Sequence, residues 1–89
     1  MTMHGDGLTK LMEECGELTQ IAAKKLSFMH TDTHPDGKGS MSKRLEEEIG
    51  DVIAASVLVA ENLGLNNQAI EDRIIMKLDL FRKWHNHKS

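Results

Sequence analysis

The chain has 89 residues, 39% apolar and 28% charged, with a formal net charge of −3. That length holds one small domain, those proportions fit a folded globular protein better than a disordered one, and a slightly acidic chain has no electrostatic basis for general nucleic-acid binding. The apolar run at 52–60 is too short to span a bilayer and no signal peptide opens the chain, so no membrane partner is expected, and a lone Cys15 that cannot form an internal disulfide fits a reducing cytoplasm.

Leu8, Leu11, Met12, Cys15, Leu18, Ala22, Leu26 and Met29 recur at helical spacing and predict a first helix over about 8–29. The segment 30–42, HTDTHPDGKGSMS, contains the only proline and reads as a loop. Ser42 is the expected N-cap of a second helix over about 43–63, and Gly64 its terminator. Asn66 or Asn67 caps a third helix over about 68–85, with Ile70, Ile74, Leu78, Phe81 and Trp84 or His85 as its stripe. The tail HNHKS is expected to fray. Aromatic residues are few (Phe28, Phe81 and Trp84), so a core of this size is thin. The expected fold is all-α: a single domain over 1–89, three main helices forming an oligomeric helical bundle.

Carboxylates stand inside the two most core-like segments, LMEECGEL at 11–18 and LEEEIGDVIAASVLVA at 45–60. Glu14 and Glu17 are three apart and share a helix face, as do Glu48 and Asp51. The second helix is apolar on more than one side, the pattern of a buried helix, so acids near its start approach the core. Unpaired buried carboxylates cost several kcal/mol and repel one another. Hard divalent cations with oxygen ligands would compensate. The plainer reading is that Glu46, Glu47 and Glu48 favour a helix macrodipole at the surface. Against it, both acid pairs have the same spacing on different helices, and Gly16 and Gly50 stand inside those helices despite their cost of about 1 kcal/mol. Such glycines suggest close helix approach.

EECGE followed by EEIGD on the next helix resembles the all-α nucleoside triphosphate pyrophosphatase superfamily, MazG-like branch, whose signature is E-E-x-x-E followed by E-x-x-D. The wider context is similar to compact, phage-like members: LxEECGELxQxxxKxxxF, a loop containing HPD, then RLEEEIGDVxAA, over roughly residues 8–85. Many members carry a further helix ahead of the first acidic one; here only MTMHGDG stands there. The resemblance implies hydrolysis of a (deoxy)nucleoside triphosphate to the monophosphate and pyrophosphate, in a homodimer or homotetramer with sites between chains. By position it places Mg²⁺, or Mn²⁺, on Glu14, Glu17, Glu48 and Asp51. Glu13 and Glu47 are the two candidates for the catalytic carboxylate that orients the attacking water. Phosphates also need protein cations. Among Lys24, Lys25, Arg73, Lys77, Arg82 and Lys83, Lys25 and Lys77 follow their apolar stripes most closely and are the expected phosphate-binding residues.

Other sites fit less well. DTHPDGKGSMSK has Asp32, Asp36 and Gly37 in EF-hand register, but His34 and Lys43 occupy ligand positions, and the twelfth needs a bidentate Glu. His30, His34, His85 and His87 have no zinc-site partners and read as exposed polar residues. Cys15 reads as a packed thiol. A di-iron bundle would want E-x-x-H motifs. The alternative function is a non-catalytic helical oligomerisation or regulatory module, in which the acids meet Lys and Arg side chains.

Overall fold

The computed structural model describes residues 5–88. A single 3₁₀ turn, Gly5–Gly7, leads into α1 (Leu8–Ser27), α2 (Met41–Leu63) and α3 (Asn67–Lys88). The described residues contain no strand, only an isolated bridge between Thr33 and Ser40. No described helix is long and apolar enough to cross a membrane.

The helix ends follow local chemistry. Ser40, rather than Ser42, caps α2, its hydroxyl accepting from the Lys43 N–H at 3.0 Å. Ser42 is taken by the loop: its N–H and hydroxyl both donate to Asp32 Oδ1, at 3.1 and 2.7 Å. Asp32 thus competes for the serine that the sequence alone favours, and the helix starts two residues earlier. α2 stops at Gly64, whose φ of 63° suits a residue without Cβ. Asn66 caps α3, accepting from the Ala69 N–H at 2.9 Å. α3 runs to Lys88, so His85–Lys88 are helical where fraying is expected, and Ser89 lies outside the described residues.

α1 and α2 form an antiparallel hairpin. At one end Asn62 Nδ2 donates to the Asp6 carbonyl at 3.1 Å, and Gly7 lies against Leu58 and Val59. At the other, Lys25 Nζ meets Asp32 Oδ1 at 3.0 Å, and the Met41 N–H donates to the Asp32 carbonyl. Between these ends the inward positions alternate by four and three. On the first side they are Gly7, Leu11, Glu14, Leu18, Ile21 and Lys25; on the second, Met41, Leu45, Glu48, Val52, Ala55 and Val59. All are buried or half-buried. This is the spacing of a coiled-coil seam. A carboxylate, Glu14 or Glu48, occupies the middle of each row.

The seam is displaced from the expected stripes. Met12, Cys15, Ala22 and Leu26 on α1 are exposed, as are Met29 just past its end and the apolar Ile49 and Leu63 on α2. Cys15 is therefore an exposed thiol and not a packed one. Gly16 and Gly50 do not mark a close approach within the chain: a Cβ on either would meet nothing within 4 Å. The glycine that does is Gly7, at φ 95°, where a Cβ would lie 3.3 Å from Leu58 Cδ2.

α3 makes no extended contact with α1 or α2. Ile70, Ile74, Leu78 and Phe81 are exposed, and an open apolar groove of about 610 Å³ runs between Ile53 and Val57 of α2 and Ile70 and Ile74 of α3. The Cα radius of gyration is 15.8 Å, against about 12 Å for a compact domain of this length. The buried apolar core consists of Ile21, Met41, Ala55, Val59 and Ala60.

Candidate metal centre

The seam brings Glu14 and Glu48 together, and Glu17, one turn beyond Glu14, joins them from the rim. One carboxylate oxygen from each of Glu14, Glu17 and Glu48 lies within 4.8 Å of the others. Glu14 is 6% exposed, Glu48 half-buried and Glu17 exposed. Lys10 Nζ pairs with Glu14 Oε1 at 3.1 Å, and this bond, more than the nearby Glu13, raises the lysine pKa. Glu14 Oε2 and Glu48 Oε2 are buried and have no hydrogen-bond partner among the described residues. Burial raises the Glu48 pKa first, followed by the charges of Glu17 and Asp51.

Such oxygens are rare in folded proteins because an unmade bond carries the full desolvation penalty. Two of them in one three-carboxylate cluster form a hard, anionic, oxygen-only donor set. That set suits Mg²⁺ or Mn²⁺ and lacks the nitrogen or sulfur that zinc sites favour.

Of the four expected metal ligands, three converge. Asp51 stands one turn beyond Glu48, exposed, close enough to act on the Glu48 charge but outside the cluster. Glu13 is exposed and held by Lys10 at 3.6 Å; Glu47 is exposed on α2. Lys25 is engaged by Asp32, and Lys77 lies on α3 over the Phe81 ring at 5.8 Å.

Beside the cluster opens a cleft of about 350 Å³ lined by Glu17, Gln20, Ile21, Lys24, His34, Arg44 and Glu48. The loop supplies His34, which is 6% exposed and so is buried, against the expectation of an exposed histidine. It is fixed from within the loop: its N–H donates to the Gly39 carbonyl, and the Asp36 N–H donates to its Nδ1 at 3.1 Å. Asp36 Oδ2 accepts from Arg44 Nη2 at 3.0 Å. The Lys38 N–H is the chief cause of the lowered Asp36 pKa, ahead of Arg44. Asp32 is likewise lowered, by the Ser42 hydroxyl and then Lys25. Both loop aspartates are thus satisfied by protein donors, and neither joins a cation cluster.

Lys24 and Arg44 were legible by spacing. Lys24 is seven residues from Glu17, and Arg44 is four before Glu48, so each shares a face with an acid. Lys25 follows the apolar rows more closely, but that proximity draws it into the end of the seam. The burial of His34 had no signal in the sequence, because it depends on how the loop folds back. Compared with known protein families, curated proteins and solved structures, the chain shows no match in any of the three.

Proposed function

We propose that the chain is a MazG-like, Mg²⁺-dependent nucleoside triphosphate pyrophosphohydrolase, releasing a monophosphate and pyrophosphate. The observation that carries this reading is the pair of buried carboxylate oxygens, Glu14 Oε2 and Glu48 Oε2, without a donor in a cluster completed by Glu17. An interaction module would bring basic side chains to these acids. Among the described residues only Lys10 comes, and it reaches the other oxygen of Glu14. Glu14, Glu17 and Glu48 would hold the cation, with Asp51 as the flanking carboxylate. A bound divalent cation supplies charge neutralisation for phosphate oxygens and acidifies a bound water.

The chain's own residues do the rest. The seam excludes water from one side of Glu14 and Glu48. A carboxylate next to the ligands in sequence, Glu13 or Glu47, would orient the attacking water and accept its proton. Lys25 and Lys77, the expected phosphate contacts, both stand outside the cleft lining. Assembly as a homodimer or homotetramer is part of the same proposal. An isolated chain leaves Ile53, Val57, Ile70, Ile74 and Phe81 exposed, more contiguous apolar surface than a small monomer ordinarily carries.

The test is a release assay over the common NTPs and dNTPs with Mg²⁺, with products separated by chromatography. The expected products are monophosphate and pyrophosphate. Glu14→Gln and Asp51→Asn should cut turnover severely while circular dichroism stays helical. Release of diphosphate and phosphate, or unchanged turnover in a folded Glu14→Gln, would overturn the reading.

A further inference from the structure

Acids and bases share the cleft without pairing. Lys24 and Arg44 line it together with Glu17 and Glu48. Among the described residues no ion pair joins either base to either acid, and Lys24 has no ion-pair partner at all. Charges of opposite sign in one cleft ordinarily close on each other, so the spacing between them is the informative feature. Lys24 lies two turns from Glu17, about 10 Å along the helix, and Arg44 lies one turn from Glu48 on the antiparallel partner. The cleft therefore changes sign along its length, acidic toward the middle of the seam and basic toward the loop.

The basic end is held in place. One Arg44 nitrogen is fixed by Asp36 Oδ2 at 3.0 Å, and the rest of its donor fork has no partner among the described residues. His34 Nδ1 faces Asp36 in two ways, accepting from its N–H at 3.1 Å and lying 3.0 Å from its Oδ1. The first suits the neutral ring and the second the protonated one. In both, Nε2 carries a proton and is a donor. Three donors of different kinds thus line one end of a cleft whose other end is lined by the carboxylates of Glu17 and Glu48.

We infer that Lys24, His34 and Arg44 form an anion subsite for the outer phosphates of a polyphosphate chain, whose inner phosphate lies toward Glu14, Glu17 and Glu48. This rests on the proposed function for its metal end but makes a separate claim about its basic end. A linear polyanion matches a cleft of this polarity: one end requires cations between it and the carboxylates, and the other meets N–H donors directly.

The experiment measures binding of inorganic tripolyphosphate to the full chain by calorimetry, with and without Mg²⁺, beside the Mg²⁺-induced melting shift. Lys24→Ala is the principal variant because Lys24 is exposed and unpaired, so its loss leaves the fold intact. Arg44→Ala is the second, with Arg44→Lys to separate charge from fork geometry. The subsite predicts that Lys24→Ala and Arg44→Ala each weaken tripolyphosphate binding about tenfold, the equivalent of one lost charge-assisted hydrogen bond. Arg44→Lys should lie between, and the response to Mg²⁺ alone should be unchanged in all three. Wild-type tripolyphosphate affinity in Lys24→Ala and Arg44→Ala, with the Mg²⁺ shift intact, overturns the subsite and leaves the hydrolase reading standing. No Mg²⁺ response in the wild type, with binding still lost in both variants, supports the subsite and removes the metal centre.

Discussion

Glu48→Gln separates a metal centre from an ordinary acidic helix, because two opposite effects must appear together. Glu48 is half-buried, its Oε2 has no partner among the described residues, and its pKa is raised by burial and then by Glu17 and Asp51. A raised carboxylate pKa means the folded state binds the proton more tightly than the unfolded one. The ionised group then destabilises the fold above its folded pKa, and the deficit disappears as pH falls through that value toward 4.5. Glutamine keeps the shape, removes the charge and can donate toward Glu17, so at pH 7 the metal-free variant should melt above wild type. Mg²⁺ reverses the order. At a free concentration ten times its dissociation constant, linkage gives the wild type about 1.4 kcal/mol, or about 6–11 °C in a domain of this size. The variant should gain only a small part of that. Melting followed by circular dichroism at pH 7, with chelator and then with Mg²⁺ or Mn²⁺, reads both effects. A variant that melts lower than wild type in chelator and shifts equally with Mg²⁺ would refute the reasoning, since Glu48 would then be neither a liability nor a ligand.

Other outcomes follow from the same contacts. Met41 is fully buried at the start of α2, so Met41→Ala should cost about 2–5 kcal/mol and leave much of the chain unfolded by circular dichroism at 25 °C. Gly7→Ala meets both a φ of 95° and Leu58 at 3.3 Å; it should lose more than about 1 kcal/mol in denaturant titration. Gly16→Ala faces open space inside a helix and should gain about 0.5–1 kcal/mol, unless a second copy packs there, in which case the melting temperature falls. Light scattering should give a mass above the 10.0 kDa of one chain, and Ile74→Asp on the exposed face of α3 should reduce it. In acid, Asp32 and Asp36 act opposite to Glu48. Their pKa values are lowered, so their stabilisation is present above 3.8 and is lost as pH falls through their folded values. The metal-free melting temperature should therefore hold or rise from pH 7 toward 4.5 and drop only below about 3.8.

Helix existence was legible because the apolar spacing and the stop signals agree: Gly64 and Asn66 end one helix and start the next where the sequence places them. Helix orientation was not. α1 has two candidate apolar stripes one position apart, one through Met12, Cys15 and Ala22, the other through Leu11, Leu18 and Ile21. Period alone does not choose between them. The choice falls to the partner helix, and the row that packs is the one containing Glu14. The acid pairs were legible as pairs, but their i,i+3 spacing could not say which member points inward. The structure divides each pair: Glu14 and Glu48 enter the seam, while Glu17 and Asp51 stand on its rim. The loop contributed what no periodicity encodes, since the positions of His34 and Arg44 depend on Asp36 turning back toward both.

The placement of the acids also bears on why the hairpin tolerates them. A polar residue in a coiled-coil seam lowers stability but fixes register. Sliding α2 by one heptad would set Met41 or Ala55 where Glu48 now stands beside Glu14, burying two isolated carboxylates in place of one shared cluster. The shared cluster can be neutralised by a single cation or by a proton on Glu48; two separate acids cannot. Polar contacts at both ends, Asn62 to the Asp6 carbonyl and Lys25 to Asp32, fix the same register independently. With the register fixed from the ends, the central acids are free to be unfavourable in the metal-free chain. That is the condition under which a cation bound as proposed would contribute to both folding and chemistry.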